Sequence, residues 1–135
     1  MMDNKHKEKL SLIQDLIALS EADGNKSFQE EQFIYTMASS MGISEVELND
    51  LKKNPVPYNP ENKETDRFVQ FYRLLLLMGI DKNKTEEEVN CCKEIALKMG
   101  LNPVAVNKTI EQVLNSSTGM MSPEALIKIF QVQHN

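Results

Sequence analysis

One internal repeat constrains this sequence more than any other feature. The segment Asp23–Glu30 aligns without a gap with Asp81–Glu88, 58 positions later. Further pairs of identical residues recur at the same offset: Leu16 and Leu74, Leu19 and Leu77, Ala38 and Ala96, Met41 and Met99, Gly42 and Gly100, Val46 and Val104, and Asn49 and Asn107. A unit this short cannot bury its own apolar face. We therefore expect the two copies to pack against each other about a pseudo-twofold axis.

Apolar residues recur at steps of three and four along nearly the whole chain, as in Leu12, Leu16 and Leu19. This spacing places them on one face of a helix, and no segment shows the alternation of a half-buried strand. The run Leu74–Met78 is apolar on every side, which indicates a central helix that is covered all round. With 135 residues, the chain fits one domain. We predict an all-α fold of about seven helices in a compact bundle.

Five predicted helix starts carry capping residues. Ser27, Ser44 and Thr85 each precede a glutamate by three positions, which is the capping-box pattern. Asn102 and Ser122 each precede a proline at the first helical position. The predicted helix starts are thus marked consistently along the chain.

A stretch with three prolines, Asn54–Pro60, separates the two copies. Proline lacks the backbone donor that a helix or a central strand needs, so we expect a stiff, extended connector. The predicted organisation is a first three-helix repeat at 10–53, the connector at 54–64, a second three-helix repeat at 65–115 and a last helix at 122–133.

Charge and cysteine usage exclude several classes of protein. Fifteen Lys and Arg residues against 20 Asp and Glu give a net charge of −5, so we expect no nucleic acid partner. The charged start does not read as a signal peptide, and no apolar run approaches the roughly 20 residues that span a bilayer, so we expect no direct membrane insertion. The adjacent Cys91 and Cys92 do not suit a disulfide, which favours a cytoplasmic protein.

The usual catalytic motifs are absent from the sequence. The two histidines, His6 and His134, stand near opposite ends, and neither a Cys-x-x-Cys pair nor a glycine-rich phosphate loop occurs. We therefore predict that the chain is not an enzyme. Cys91 and Cys92 align in the repeat with the apolar Phe33 and Ile34, so we expect core thiols, with a redox or metal-binding role as the alternative.

Two acidic turns are candidate metal sites, since carboxylate and amide oxygens are the ligands that hard divalent cations prefer. The candidate ligands are Asp23, Asn25, Glu30 and Glu31 in the first copy, and Asp81 and Glu88 as a weaker set in the second. The first turn is not an EF-hand, because Phe28 and Ile34 stand where that loop needs Gly and Glu. Ca²⁺ or Mg²⁺ is the ion that such a site would take, and no other cofactor is predicted.

A structural role is the alternative for the same acidic residues. Asp23 and Asp81 would then stabilise turns, and Glu30 and Glu88 would complete capping boxes. The metal interpretation is motivated by the first turn, where Lys26 is the one cation among several carboxylates.

The segment Leu16–Glu31, which reads LIALSEADGNKSFQEE, and the following Met41–Glu45 resemble the TerB-like family of tellurite-resistance proteins, which includes the N-terminal domain of the co-chaperone DjlA. In that family an apolar helix ends in Ala-Asp-Gly before a small polar cap and a glutamate. The second copy departs from this pattern at Ile80-Asp81-Lys82. The resemblance implies a duplicated all-helical domain, a role in tellurite or general stress resistance, and metal chelation at Asp23 and Glu30, with Glu31 as the next candidate.

Two functions therefore remain open. The first is a non-enzymatic interaction or scaffold domain with a protein partner, which predicts an exposed apolar patch near Phe28, Tyr58, Met120 or Met121. The second is a divalent-metal-binding or metal-sensing domain that uses the acidic turns. The sequence also leaves a homodimer open. Direct tellurite reduction by the cysteines ranks third, because buried thiols react poorly.

Overall fold

The computed structural model describes residues 4–24, 27–59, 63–80 and 84–134. These residues form seven helices and no strand, which confirms the predicted all-α class. The helices are α1 (Asn4–Glu21), α2 (Phe28–Ser40), α3 (Glu45–Lys53), α4 (Glu64–Ile80), α5 (Glu86–Lys98), α6 (Pro103–Asn115) and α7 (Pro123–His134). Helix α1 begins earlier than predicted, and α4 includes Glu64, which the prediction gave to the connector.

Helices α1 and α4 form the centre of the bundle, because each packs against several of the other helices. Leu16 of α1 and Phe71 and Leu74 of α4 are fully buried. The buried Gln70 side chain of α4 donates to the Leu12 carbonyl of α1 at 3.0 Å, so the polar group in this core is satisfied. Within Leu74–Met78 four of the five side chains are buried, which confirms a central helix.

Glycines end α2 and α5 in the same way. Gly42 and Gly100 have φ values of +78° and +85°, a backbone conformation that L side chains rarely adopt. The next amide then donates back to the helix, from Ile43 to the carbonyl of Ala38 at 2.9 Å and from Leu101 to that of Ala96 at 3.3 Å. These turns redirect the chain into α3 and α6 and satisfy carbonyls at the helix ends.

Both cysteines are free thiols, with Cys92 in the interior of the core and Cys91 at its edge. Cys92 is fully buried, and burial raises its pKa to about 12, as expected for a core thiol. Cys91 is half-buried and packs against the core, so it lies at the edge of the core rather than inside it. In the described part of the chain, no helix is both long and apolar enough to cross a bilayer.

The described part of the proline-rich connector packs along α1. The Gln14 side chain of α1 donates to the Val56 carbonyl at 3.0 Å and accepts from the Val56 amide at 2.7 Å. Further along, the Asn59 amide donates to the Ser11 hydroxyl at 3.1 Å. Over its described residues, 54–59, the connector thus follows α1, which holds its backbone in place.

Candidate functional site

The predicted acidic turns lead into the N-terminal ends of α2 and α5. Ser27 caps α2, and its hydroxyl accepts from the Glu30 amide at 3.0 Å. Thr85 caps α5, and its hydroxyl accepts from the Glu88 amide at 3.2 Å. Each cap satisfies one of the backbone donors that a helix start leaves free. We call Asp23, Ser27, Glu30, Thr85 and Glu88 the paired-turn site.

A contact joins the two turns across the fold. The Thr85 hydroxyl lies 3.5 Å from Asp23 Oδ2 and also 3.5 Å from Glu88 Oε1. Both separations are longer than the roughly 2.5–3.0 Å that is typical of O–H···O hydrogen bonds, so the Thr85 hydroxyl marks where the two carboxylates approach each other rather than a strong bond to either one. Asp23 of the first copy therefore lies beside Glu88 of the second. Sequence spacing does not predict this contact, because Asp23 and Thr85 are 62 positions apart.

The two glutamates of the site are buried. Glu30 is 2% exposed and Glu88 is 3% exposed, whereas Asp23 is half-buried. A buried carboxylate is expensive unless other groups compensate its charge. The positive end of the helix dipole and the free amides of the first turn supply part of that compensation. The burial of these glutamates goes beyond what a surface capping residue requires.

The capping-box prediction is fully confirmed at Ser44. There the Glu47 amide donates to the Ser44 hydroxyl at 3.1 Å, and the Ser44 amide donates back to the Glu47 carboxylate at 3.3 Å. At Ser27 and Thr85 the hydroxyl half of the box is formed.

The predicted metal ligands have different positions in the structure. Asp23 and Glu88 come together at the paired-turn site, and Glu30 is buried in the first turn of α2, while the neighbouring Glu31 is exposed. Asn25 and Asp81 lie outside the described residues. Among the residues that are described, no group of three or more His, Cys, Asp or Glu side chains is arranged to hold a metal ion.

A second polar cluster, which the sequence analysis did not identify, lies where the connector meets α5. The Lys98 ammonium of α5 is 4.0 Å from the centroid of the Tyr58 ring, a cation–π contact. Asp15 of α1 is close enough for its charge to act on Tyr58 and for Lys98 to act on it. Burial raises the pKa of Asp15 to about 6, against the opposing effect of Lys98. The sequence could have indicated that Asp15 is buried, because Asp15 shares the apolar face of α1 with Leu12 and Leu19.

An apolar groove opens between the start of α4 and α7. It has a volume of about 430 Å³, and its apolar lining consists of Phe68, Leu101, Ile127 and Phe130. The Phe68 and Phe130 rings meet edge to face at 5.2 Å, which fixes the floor of the groove. Ile127 is 43% exposed on its rim.

None of the four residues near which an exposed apolar patch was expected lines this groove. Phe28 and Met120 are exposed, as predicted. Tyr58 and Met121 are half-buried instead, because Tyr58 packs under Lys98 and Met121 packs against the core.

Comparison with known proteins identifies no relative of this chain. No family model matches it, and no curated protein or solved structure matches it. The resemblance to the TerB-like family therefore depends on the residues of Leu16–Glu31 and Met41–Glu45 themselves. The function has to be inferred from the residues and their geometry.

Proposed function

We propose that this chain is a non-enzymatic interaction domain that binds an apolar segment of a protein partner in the groove between α4 and α7. The observation that carries this proposal is the open apolar groove itself, where Ile127 on the rim stands above a floor that includes Phe68 and Phe130. Concave surfaces lined by apolar and aromatic side chains are where proteins take up the anchor residues of their partners.

The floor of the groove is pre-organised for binding. Phe130 of α7 contacts both Phe68 and Phe71 of α4 edge to face, with centroid distances of 5.2 and 5.9 Å. Phe71 is fully buried in the core, so this aromatic cluster is anchored on one side and open on the other. A partner would then bind without a large cost of ordering the site.

A charge placed on the rim of the groove tests this function. Ile127→Glu introduces a carboxylate on the groove, and Val46→Glu introduces one at a 79% exposed position of α3 outside it. Both positions are exposed, so both variants should keep the fold. We expect a purified partner, first found by affinity capture, to bind wild type and Val46→Glu alike and Ile127→Glu at least about tenfold more weakly. Equal binding by all three proteins would contradict the groove as the binding site.

Divalent-cation binding at the paired-turn site is the second candidate function. The observation that favours it is the convergence of Asp23 and Glu88 on the Thr85 hydroxyl, which brings carboxylate oxygens from both copies to one place. Oxygen donors of this kind suit Ca²⁺ or Mg²⁺. Asn25 and Asp81, which lie outside the described residues, are the further ligands that the sequence offers.

Thermal melts test the metal candidate directly. A cation that binds only the folded chain at about 100 times its Kd adds roughly 2.7 kcal/mol of stability, which raises the melting temperature by several degrees. We expect Ca²⁺ or Mg²⁺ to produce this shift, relative to EDTA, in wild type and in Glu31→Gln, but not in Asp23→Asn. An equal response of wild type and Asp23→Asn would leave the acidic residues with a structural role.

We infer further that the chain is a duplicated unit with pseudo-twofold symmetry. Helices α2 and α5 begin at equivalent positions behind the equivalent caps Ser27 and Thr85. Leu12 and Gln70, which are equivalent in the repeat, hydrogen bond to each other, as residues near a twofold axis do. The resemblance to the TerB-like family supports a duplicated fold and a role in tellurite or general stress resistance. Increased tellurite sensitivity of a deletion strain would test that role.

A further inference from the structure

A cavity of about 320 Å³ lies between the first two turns of α1 and the described part of the connector. Its volume falls within the roughly 300–1,000 Å³ that is typical of small-molecule sites. Lys7 and Pro57 of its lining are exposed while Leu10 is buried, so the cavity leads from the surface to the edge of the core. The full lining is Lys7, Leu10, Val56, Pro57, Tyr58 and Asn59, none of which belongs to the groove or to the paired-turn site.

The walls of this cavity are mainly apolar. Leu10 forms the α1 side, and Val56, Pro57 and the ring of Tyr58 form the connector side. The Tyr58 ring is held by Lys98 of α5, whose ammonium lies 4.0 Å from the ring centroid. Apolar walls favour a ligand with an apolar chain, and each methylene group that is buried there raises the affinity about three- to fourfold.

Hydrogen bonds to α1 fix the connector side of the cavity. The Gln14 side chain pairs with the amide and the carbonyl of Val56, at 2.7 and 3.0 Å. The Asn59 amide donates to the Ser11 hydroxyl at 3.1 Å, and the Asn59 side chain donates to Asn4 Oδ1 at 3.2 Å. The cavity is therefore already formed, and a ligand binds without a large cost of ordering it.

The rim of the cavity carries a positive charge. Lys7 is the charged residue among those that line the cavity, and its ammonium forms no ion pair with another described residue. It belongs to the first turn of α1, where residues 4–7 include no acidic side chain. The positive end of the helix dipole adds to the charge of the lysine at this place. An anionic group is therefore favoured at the rim, and a cationic group is disfavoured.

We propose that this cavity binds a small amphipathic anion, a ligand that combines an apolar chain with one carboxylate group. The chain would lie against Leu10, Val56 and Tyr58, and the carboxylate would pair with Lys7 at the rim. An exposed ion pair contributes modestly to affinity, so the chain supplies most of the binding and the lysine sets the orientation. The site shares no residue with the two proposed functional sites, so its test is independent of theirs.

NMR titration of the ¹⁵N-labelled chain with straight-chain carboxylates, below their micelle-forming concentrations, tests the site. We expect hexanoate and octanoate to shift the amide signals of Leu10, Val56 and Asn59 in a saturable way and to leave that of Ile127, in the groove, unchanged. Octanoate should bind about tenfold more tightly than hexanoate, because it buries two more methylene groups. Octanol, which has the same chain without the charge, should bind at least about twofold more weakly than octanoate.

Two charge reversals on α1 test the role of Lys7. Lys7→Glu places an anion on the rim, and the control Lys5→Glu changes an exposed lysine of the same turn that does not line the cavity. Both side chains are exposed, so both variants should keep the fold. We expect Lys7→Glu to bind octanoate at least about fivefold more weakly and to prefer octylammonium, and Lys5→Glu to stay within about twofold of wild type.

Three results would overturn the proposal. The first is the absence of saturable shifts at Leu10 and Val56, or shifts that centre on Ile127 instead. The second is equal binding of octanoate and octanol by wild type, which would leave the charge at the rim without a role. The third is an equal loss of octanoate binding in Lys7→Glu and Lys5→Glu, which would reflect the net charge of the chain rather than this site.

Discussion

Gln14 on α1 and Val56 in the connector exchange two hydrogen bonds, at 3.0 and 2.7 Å. The carboxamide of Gln14 pairs with both backbone groups of one residue, as a neighbouring strand would. Val56 stands between Pro55 and Pro57, which have no amide proton, so its N–H is the one backbone donor of that tripeptide. The prolines restrict the unfolded connector, and less conformational entropy is lost when it docks.

Gln14→Ala should lower the free energy of unfolding by about 1–3 kcal/mol, because it leaves the amide and the carbonyl of Val56 without their partner. Urea denaturation measures this loss. The control is Gln32→Ala, which truncates an exposed glutamine on α2 and should change stability by less than about 0.5 kcal/mol. Equal effects of the two substitutions would mean that the connector contributes little to stability.

Gly79→Ala should destabilise the chain by about 1–3 kcal/mol, although alanine is otherwise the better helix former. A Cβ atom at Gly79 would lie 2.5 Å from the Gly119 carbonyl oxygen, where the end of α4 meets the loop before α7. Gly42→Ala is the comparison, since its Cβ has open space and only the positive φ opposes it, at about 1 kcal/mol. A higher melting temperature for Gly79→Ala would contradict the close packing of α4 on this loop.

Local signals made the helices predictable from the sequence. The predicted starts of α5 and α6 agree with the structure because Thr85 and Asn102 cap them through side chains that bond within three residues. Gly42 and Gly100 end helices through a backbone conformation that needs no distant partner. Hydrogen bonds between residues that are close in the sequence can be predicted from the sequence alone.

The paired-turn site depends on contacts between residues that are far apart in the sequence. Glu30, Glu47 and Glu88 stand in the same capping pattern, yet Glu47 is partly exposed while Glu30 and Glu88 are buried by the packing of other helices. The contact between Asp23 and Thr85 joins residues 62 positions apart. Sequence spacing predicts which residues share a helix face, but not which helix covers that face.

Tyr58→Phe should leave the free energy of unfolding unchanged or raise it by about 1–2 kcal/mol, because it removes a buried hydroxyl that has no partner among the described residues. The aromatic ring under Lys98 is kept. Tyr58→Leu removes that ring and its cation–π contact, so it should lower stability. Chemical denaturation of the two variants at one pH distinguishes these effects, and a clear loss in Tyr58→Phe would show that the hydroxyl is bonded in solution.

Asp15→Asn should stabilise the chain at pH 7.5, by an amount on the order of 1–3 kcal/mol. The pKa of Asp15 in the folded chain is raised to about 6 from an ordinary value of 3.8, so the folded state binds a proton more tightly than the unfolded state does. The stability that this group contributes is fully present below pH 3.8 and is lost as the pH rises through 6. Asparagine carries no charge to bury, so the difference between variant and wild type should grow from pH 4 to pH 7 and then level off. Melting temperatures across this range measure the trend, with Glu94→Gln as a control in which an exposed carboxylate is removed. A variant less stable than wild type at pH 7.5 would mean that the attraction between Asp15 and Lys98 outweighs the burial of the charge.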